Sequence, residues 1–494
     1  MSGSISIPNY PANNRVPGFY FALDATKANT ATPGRRVLAI GQMTGGAAQP
    51  NVAAISAGLA DAQGKYGASS QCAHAVKRYR QIDTVGELWV LPLADDTAAK
   101  AATGGFVVTG TAAVAGTIPF YVGDRLVPVP VNAGDGGATI TANQVAKAAT
   151  MPDLGVTFAV SSNPIASTIT AANKGLSGND IQLGVALLGA AGGESIPAGL
   201  TVTISPMAGG TQNPTTLAAA LAALGDKSFD LIFHPYNDTA SLNVIQAFLS
   251  DTAGRWRPTN QQFGHGITAV RGTLGTVTAF GVTRNDQHHS IMPISDSPSS
   301  PLAWAAQLAA QAAVSMRDNP ARPIADLALA VLPPSLTGRF TFDQRESLLF
   351  DGLSTHRVDD SGTVWIERLT TTYQTNALGA PDDSYLDIET LLTLQVAIQD
   401  MKTFFGTQFS RMILVDDAAK ITAGQPATNS KLARAAIVSR YRYQCAQLWC
   451  QDADGFAAAV VVRNAGGGVL QCLLPFRIAN QLRVVACNVQ FTKP

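Results

Sequence analysis

The chain has no excess of charge of either sign: 34 basic residues stand against 34 acidic ones, and charged residues make up only 14% of it. A balanced chain raises no broad field toward nucleic acid or anionic lipid, so neither is an expected partner. So little charge also gives weak protection against self-association, which suits a subunit that assembles. Cysteine is scarce and odd in number (Cys72, Cys445, Cys450, Cys472 and Cys487). The spacings fit no metal site, so reduced thiols in a cytosolic fold are expected, with no metal and no cofactor. No apolar run approaches the roughly 18 residues a membrane helix needs. The opening "MSGSISIPNY" lacks the basic and apolar regions of a secretory signal. The expectation is a soluble product of the cytoplasm.

What is present is apolar: 46% of 494 residues, enough for about two to four packed domains. "RVLAIGQM" (36–43) and "ELWVLPLA" (87–94) read as buried strands. Between them "SSQCAHAVKRYRQI" has helical spacing, with Ser69 or Ser70 as cap. Residues 104–209 change character. They are rich in Gly, Thr, Val and Pro, with short alternating runs ("GTIPFYVGDRLVPVPV", "ATITA", "LTVTISPM") that predict a β-sandwich or barrel module. Helix and strand patterns then resume, so the module reads as an insertion into an α/β domain. "PLAWAAQLAAQAAVSM" is an almost uncharged helix opened by Pro301. "SYLDIETLLTLQVAIQDMKTFF" and "NSKLARAAIVSRYRYQ" are further helices, the second capped by Asn429 or Ser430. "QLRVVACNVQF" reads as a final strand.

Catalytic patterns are thin. "GHGIT" imitates the histidine segment of subtilisin-like peptidases at His265, but no segment suited to carry the nucleophilic serine follows. A structural histidine beside a close-packed glycine is the simpler reading. His288 and His289 are adjacent, so on a strand they point to opposite faces and make a poor ligand pair. Cys445 and Cys450 lie five apart on a predicted helix, which suits core packing better than a metal. "NAGGGV" and "GLSGND" are loops without the glycine and lysine positions of a phosphate cradle. No enzyme is indicated.

Several stretches, in order, resemble the tail sheath proteins of contractile bacteriophages of the Mu-like branch. They are "RVPGFYFALDATKA" with "RRVLAIGQM", "MAGGTQNPTTLAAALAAL" with "FDLIFHPYND", "RWRPTNQQFGHGITAVRGTLGTVTAFGVTRNDQHHSIM", "VWIERLTTTYQ" and "IANQLRVVACNVQF". The resemblance implies an α/β fold. Its subtilisin-like core without catalytic residues would span 31–103 and 210–340. An outward-facing β module would occupy 104–209, and an α+β C-terminal domain facing the tube 341–475. Extended arms at 1–30 and 476–494 complete the layout. It also implies that "GTLGTVTAFGVTRN" is a helix, although its residues also read as strand. The implied function is that of a virion tail subunit, assembled in the host cytoplasm, that polymerises helically around a tube and contracts to drive the tube through the host envelope. Implied partners are copies of itself, the tail tube protein, and baseplate and tail terminator proteins. An inactive or cryptic peptidase, or a β-rich capsid or adhesin component, are the alternatives.

Both ends are then expected to work between subunits. About 20 extended residues span about 65 Å, while a compact chain of this length has a radius of gyration near ~23 Å. Val16, Phe19, Tyr20 and Phe21 at one end, and Leu482, Val484, Val485, Val489 and Phe491 at the other, are expected to add strands to neighbours. On "NSKLARAAIVSRYRYQ", about 100° per residue puts Lys431, Arg434 and Arg442 on one face. The expectation is that this basic face meets the tube. Leu432, Ala436 and Ile437 would lie toward the other side, and Arg440 would bind within the sheath.

Overall fold

The strand Arg36–Gln42 is buried on both faces after its first residue, as a continuous apolar run in a parallel sheet must be. In this computed structural model, which describes residues 35–422 and 424–493, it lies inside a six-stranded sheet. Parallel neighbours are Glu87–Leu93 on one side and Leu231–Phe233 on the other. Beyond the latter come His265–Val270 and His289–Pro293, also parallel, and the two-residue strand Ala54–Ile55 closes the opposite edge. The expectations on Val16, Phe19, Tyr20 and Phe21 lie outside the described residues.

Alternate residues of these strands feed two helical layers. Val37, Ala39, Leu88 and Val90 pack with the helices Gln71–Arg80 and Pro301–Asp318. Leu38, Ile40, Leu91 and Leu93 pack with Leu217–Ala222 and Thr239–Leu249. Two caps fall among the residues the sequence offers, Ser70 and Asn429, and Ser300 caps the helix that Pro301 opens; each accepts a bond from the first turn. Pro301–Asp318 can run through the interior because it carries no charge before Arg317, and Trp304 and Leu308 are fully buried in it.

Between Glu87–Leu93 and Leu217–Ala222 the chain builds a second body with its own apolar cluster. A four-stranded antiparallel sheet runs in the order Leu200–Ala208, Thr103–Gly110, Ala166–Ala171, Val156–Val160. A three-stranded sheet combines Arg125–Val131, Gly116–Val122 and Leu183–Val185. The two ends of this body meet, Thr103 opposite Ala208. One expectation fails here: "ATITA" belongs to the helix Gly137–Ala149. Ile140, Gln144 and Ala148 bury one face of that helix at spacings of four, which a five-residue alternation conceals. "GTLGTVTAFG" contains the helix Leu274–Gly281, as the family resemblance implied and its residues alone left open.

The last third hangs on one long helix, Ile388–Gln408. Ile388, Leu392 and Val396 in its first part join the cluster on the large sheet. Ala397 and Met401 join a separate cluster with the helix Ser430–Ala446 and Phe456. The helix Ala453–Ala459 and the hairpin Val461–Asn464 with Leu470–Leu473 complete that cluster. Gly466, Gly467 and Gly468 all hold positive φ in the hairpin turn, which side-chain-bearing residues rarely adopt. The fold is thus mixed α/β with several separate sheets. The predicted final strand does not form among the described residues: there, 479–493 pair with no other strand. A strand needs a partner, and among the described residues none reaches this segment.

Candidate assembly surface and a buried histidine cluster

The histidines that suggested chemistry form a closed polar cluster at the end of the parallel sheet. His265 is the first residue of its strand, and its Nε2 lies 2.8 Å from Ser290 Oγ. A serine therefore does stand beside His265, brought there by the parallel register and not by any sequence signature. The pair cannot act as a nucleophile and its base as built. Both residues are buried, and His265 Nδ1 has no partner among the described residues, so no acid there orients the ring. The position is wrong as well, since sites in open α/β sheets lie at the carboxyl ends of strands. Burial pushes the pKa of His265 down to about 3 and that of His234 to about 3; both are neutral.

His234 follows the strand Leu231–Phe233 and reaches His289 across the intervening strand, Nε2 to Nε2 at 2.9 Å. Gly266 lies under that contact. A Cβ there would collide with the His289 ring, whose Nε2 would stand 3.0 Å away. Gly266→Ala is therefore expected to destabilise the subunit by about 2–3 kcal/mol. His289→Ser in the same chain should recover part of the loss. Denaturant midpoints of the two single variants and the double variant measure this coupling, and simple additivity would refute it. His288 turns to other partners: Asp251 Oδ1 at 2.8 Å and the Trp256 ring stacked at 4.5 Å.

Among the described residues no three His, Cys, Asp or Glu side chains are placed to hold a metal ion. Cys445 ends the helix Ser430–Ala446, whereas Cys450 lies beyond it, so the predicted shared helix is corrected. Leu448 between them takes positive φ and turns the chain. A cavity of about 100 Å³ between Ser70, Asp124, Arg125, Asp180 and Pro301 separates the inserted body from the large sheet. That is well below the ~300 Å³ of ordinary ligand pockets.

The exposed C-terminal segment is of a different kind. It is fastened as far as Arg483: Ala479 N–H donates to Trp449 O, and Gln481 Nε2 to Ala321 O. Arg483 Nη2 then reaches Glu389 Oε2 at 2.8 Å and Asp387 Oδ1 at 3.1 Å. Beyond it every side chain is exposed. Leu482, Val484, Val485, Val489 and Phe491 are 72–81% exposed. Isolated surface leucines are normal, whereas here five exposed apolar side chains fall within residues 482–491. Among the described residues the hairpin Val461–Asn464/Leu470–Leu473 is a sheet of two strands, with Val461 and Leu473 exposed.

The basic residues of Ser430–Ala446 are less free than the helical wheel suggested. Lys431 is exposed. Arg434 instead donates to the carbonyls of Val460 and Ala457, closing the adjoining helix. Arg442 lies 3.5 Å from Asp454. The buried seam is Ala433, Ile437, Tyr441 and Gln444, so Leu432, placed on the apolar side by the wheel, is half-exposed. Arg440 binds Asp400 within the subunit, through Nε at 2.8 Å. Sequence reasoning missed Arg35, Asp230, Glu389 and Arg483, whose partners are far off in the chain, and the hairpin, whose signal was the Gly-rich turn between two apolar runs.

The comparisons agree with the motif reading. Residues 209–372 match the family described as phage tail sheath protein central domain. The Mu-like prophage FluMu tail sheath protein of Haemophilus influenzae is 32% identical over 493 residues, 99% of each chain. A solved sheath tail protein from Listeria innocua is similar at 13% identity over 92% of this chain and 94% of its own, with a TM-score of 0.48. The helical sheath of the anti-feeding prophage in its contracted state is similar at 12% identity over 97% and 100%, with a TM-score of 0.47. On the identity along its whole length, the chain belongs to the family of Mu-like phage tail sheath proteins.

Proposed function

We propose that this sheath subunit polymerises helically around an inner tail tube and passes from an extended to a tighter lattice, driving the tube through a host envelope. The observation that carries this reading is the C-terminal segment, anchored at Arg483 and apolar yet exposed beyond it. Residues 484–491 span about 26 Å when extended. They can add a strand to the hairpin of another subunit, whose two-stranded sheet is short of neighbours. Donor and acceptor are different surfaces, so the contact is heterologous and propagates as a helix instead of closing. Val16, Phe19, Tyr20 and Phe21 are assigned the same role at the other end. Partners are further copies, the tube protein, and baseplate and terminator proteins; assembly takes place in the host cytoplasm.

The division proposed for the chain is a core at 31–103 and 210–340 of subtilisin-like topology, an outward module at 104–209, a tube-facing part at 341–475, and arms at 1–30 and 476–494. The separate apolar cluster of the module and its paired ends support this division. No catalysis is assigned, because the His265–Ser290 pair is buried and lacks an orienting acid. Negative-stain microscopy of the purified chain tests the function: striated tubes support it, and monodisperse particles favour the peptidase or capsid alternatives.

The tube-facing role rests on Lys431, Arg434 and Arg442. Arg434 is engaged with backbone carbonyls, so the exposed pair is the one to test. Lys431→Glu with Arg442→Glu should leave sheath-alone polymers intact and weaken loading on purified tubes about tenfold, as loss of rim charges worth up to ~1 kcal/mol each would do. Loading unchanged across a salt series would move the tube contact elsewhere.

A further inference from the structure

The roots of both terminal segments converge on one helix. Arg35, where the described chain begins, places Nη1 2.6 Å from Gln399 Oε1 and 3.3 Å from Asp230 Oδ1. Gln395, one turn earlier on the same helix, donates to that Asp230 carboxylate, and the Arg36 N–H bonds its other oxygen at 3.0 Å. At the opposite end, Arg483 holds Glu389 and Asp387 at the start of the same helix, Ile388–Gln408. Glu389 is fully buried, and its second oxygen accepts the Ile324 N–H at 2.6 Å. Asp387 is also held by Arg368, Nε at 2.8 Å and Nη2 at 3.0 Å. In its middle the helix is tied to Ser430–Ala446: Arg440 binds Asp400, and Gln444 Nε2 donates to Ala397 O at 3.0 Å.

We propose that the helix Ile388–Gln408 is a strut that couples the two arms of a subunit, with Arg35 and Arg483 as the residues that position the arm roots on it. The inference rests on the arm-exchange reading of the previous subsection. Glu389 and Gln399 stand ten residues apart, about 15 Å along an axially stiff helix. Arg483 cannot slide along the helix without leaving the buried Glu389 charge uncompensated. Arg35 is held to the helix by Gln399 directly and by Gln395 through the shared Asp230 carboxylate. The helix also contributes to two apolar clusters, one on the large sheet and one under the hairpin. A pull on the C-terminal arm therefore reaches the N-terminal root and the hairpin-bearing body through the same rod. The rival path, through the strand Arg36–Gln42 and the sheet, touches neither Glu389 nor Arg483.

The test uses the full-length chain and backbone hydrogen exchange over residues 388–408, before and after assembly into tubes. In the unsubstituted protein, assembly should slow exchange in this helix at least tenfold. Arg483→Met with Glu389→Gln removes the anchor without stranding a buried charge. It should leave the free subunit's melting transition cooperative while residues 388–396 keep their unassembled exchange rates in any tubes that form. Arg35→Gln repeats the test from the other root, where the loss should centre on 395–402. Exchange unchanged by assembly in the unsubstituted chain, or full protection in tubes of either variant, would overturn the strut. Tubes formed by a chain lacking 484–493 would instead overturn the arm exchange on which it rests.

Discussion

A chain ending at Arg483 will melt as the full-length subunit does and will form no tubes. Residues 484–493 are exposed and pair with no strand, so their removal falls within the ~0.5 kcal/mol range of neutral surface changes. Keeping Arg483 matters, because without it Glu389 would be left buried and unpaired. The effect on assembly is of another order. About five ladder bonds at ~1 kcal/mol and three buried apolar side chains at ~2 kcal/mol amount to about 10 kcal/mol gross per arm. Ordering the segment removes much of that. Even ~3 kcal/mol net would lower each subunit's affinity for the growing end by roughly a hundredfold. Calorimetry of the free subunit and microscopy of the polymer measure the two halves. Normal tubes from the truncated chain would remove the C-terminal arm from the mechanism.

The second large effect is acid lability. His234 and His265 are held neutral, each pushed down to about 3 by burial from an unfolded value of 6.5. The unfolded chain therefore binds more protons than the folded one between those limits. The stability these residues confer is complete above pH 6.5 and falls as the pH drops toward about 3. Between pH 7.5 and 5 each loses about 2 kcal/mol, together about 4 kcal/mol. His289 and His356, also lowered by burial, act in the same sense. Asp286, raised by burial, acts in the opposite one. Urea midpoints of the unassembled subunit at pH 7.5 and 5 should thus differ strongly, and His265→Asn should reduce the difference. Equal midpoints at the two pH values would show that the cluster is already charged or hydrated.

What could be read from the sequence is what is decided locally. Ser70 and Asn429 cap their helices as the sequence offered, because capping depends on neighbours three residues away. "RVLAIGQM" is legible as a buried strand because both of its faces are apolar. "ATITA" misled, since two periods cannot be separated over five residues. The contact of His265 with Ser290 was invisible, because it arises from strand register across 25 positions of chain. Arg35 with Asp230, 195 residues apart, was hidden for the same reason. The C-terminal segment is strand-like in its residues, but a strand is defined by its pairing, and among the described residues 479–493 have no strand partner. Of the residues expected to face a tube, Arg434 looked like free charge because a helical wheel shows direction and not the carbonyls waiting there.

The neck of the inserted body has a practical consequence. Lys100 bridges Thr211, and Thr103 stands opposite Ala208, so the two chain crossings run side by side. Facing residues of an antiparallel pair lie about 5 Å apart. Any foreign domain whose own termini are that close could be grafted across this neck without stretching the large sheet. A polymer grown from such chimeras would carry one guest per subunit, at a spacing dictated by the lattice, which makes the neck a natural socket for ordered display.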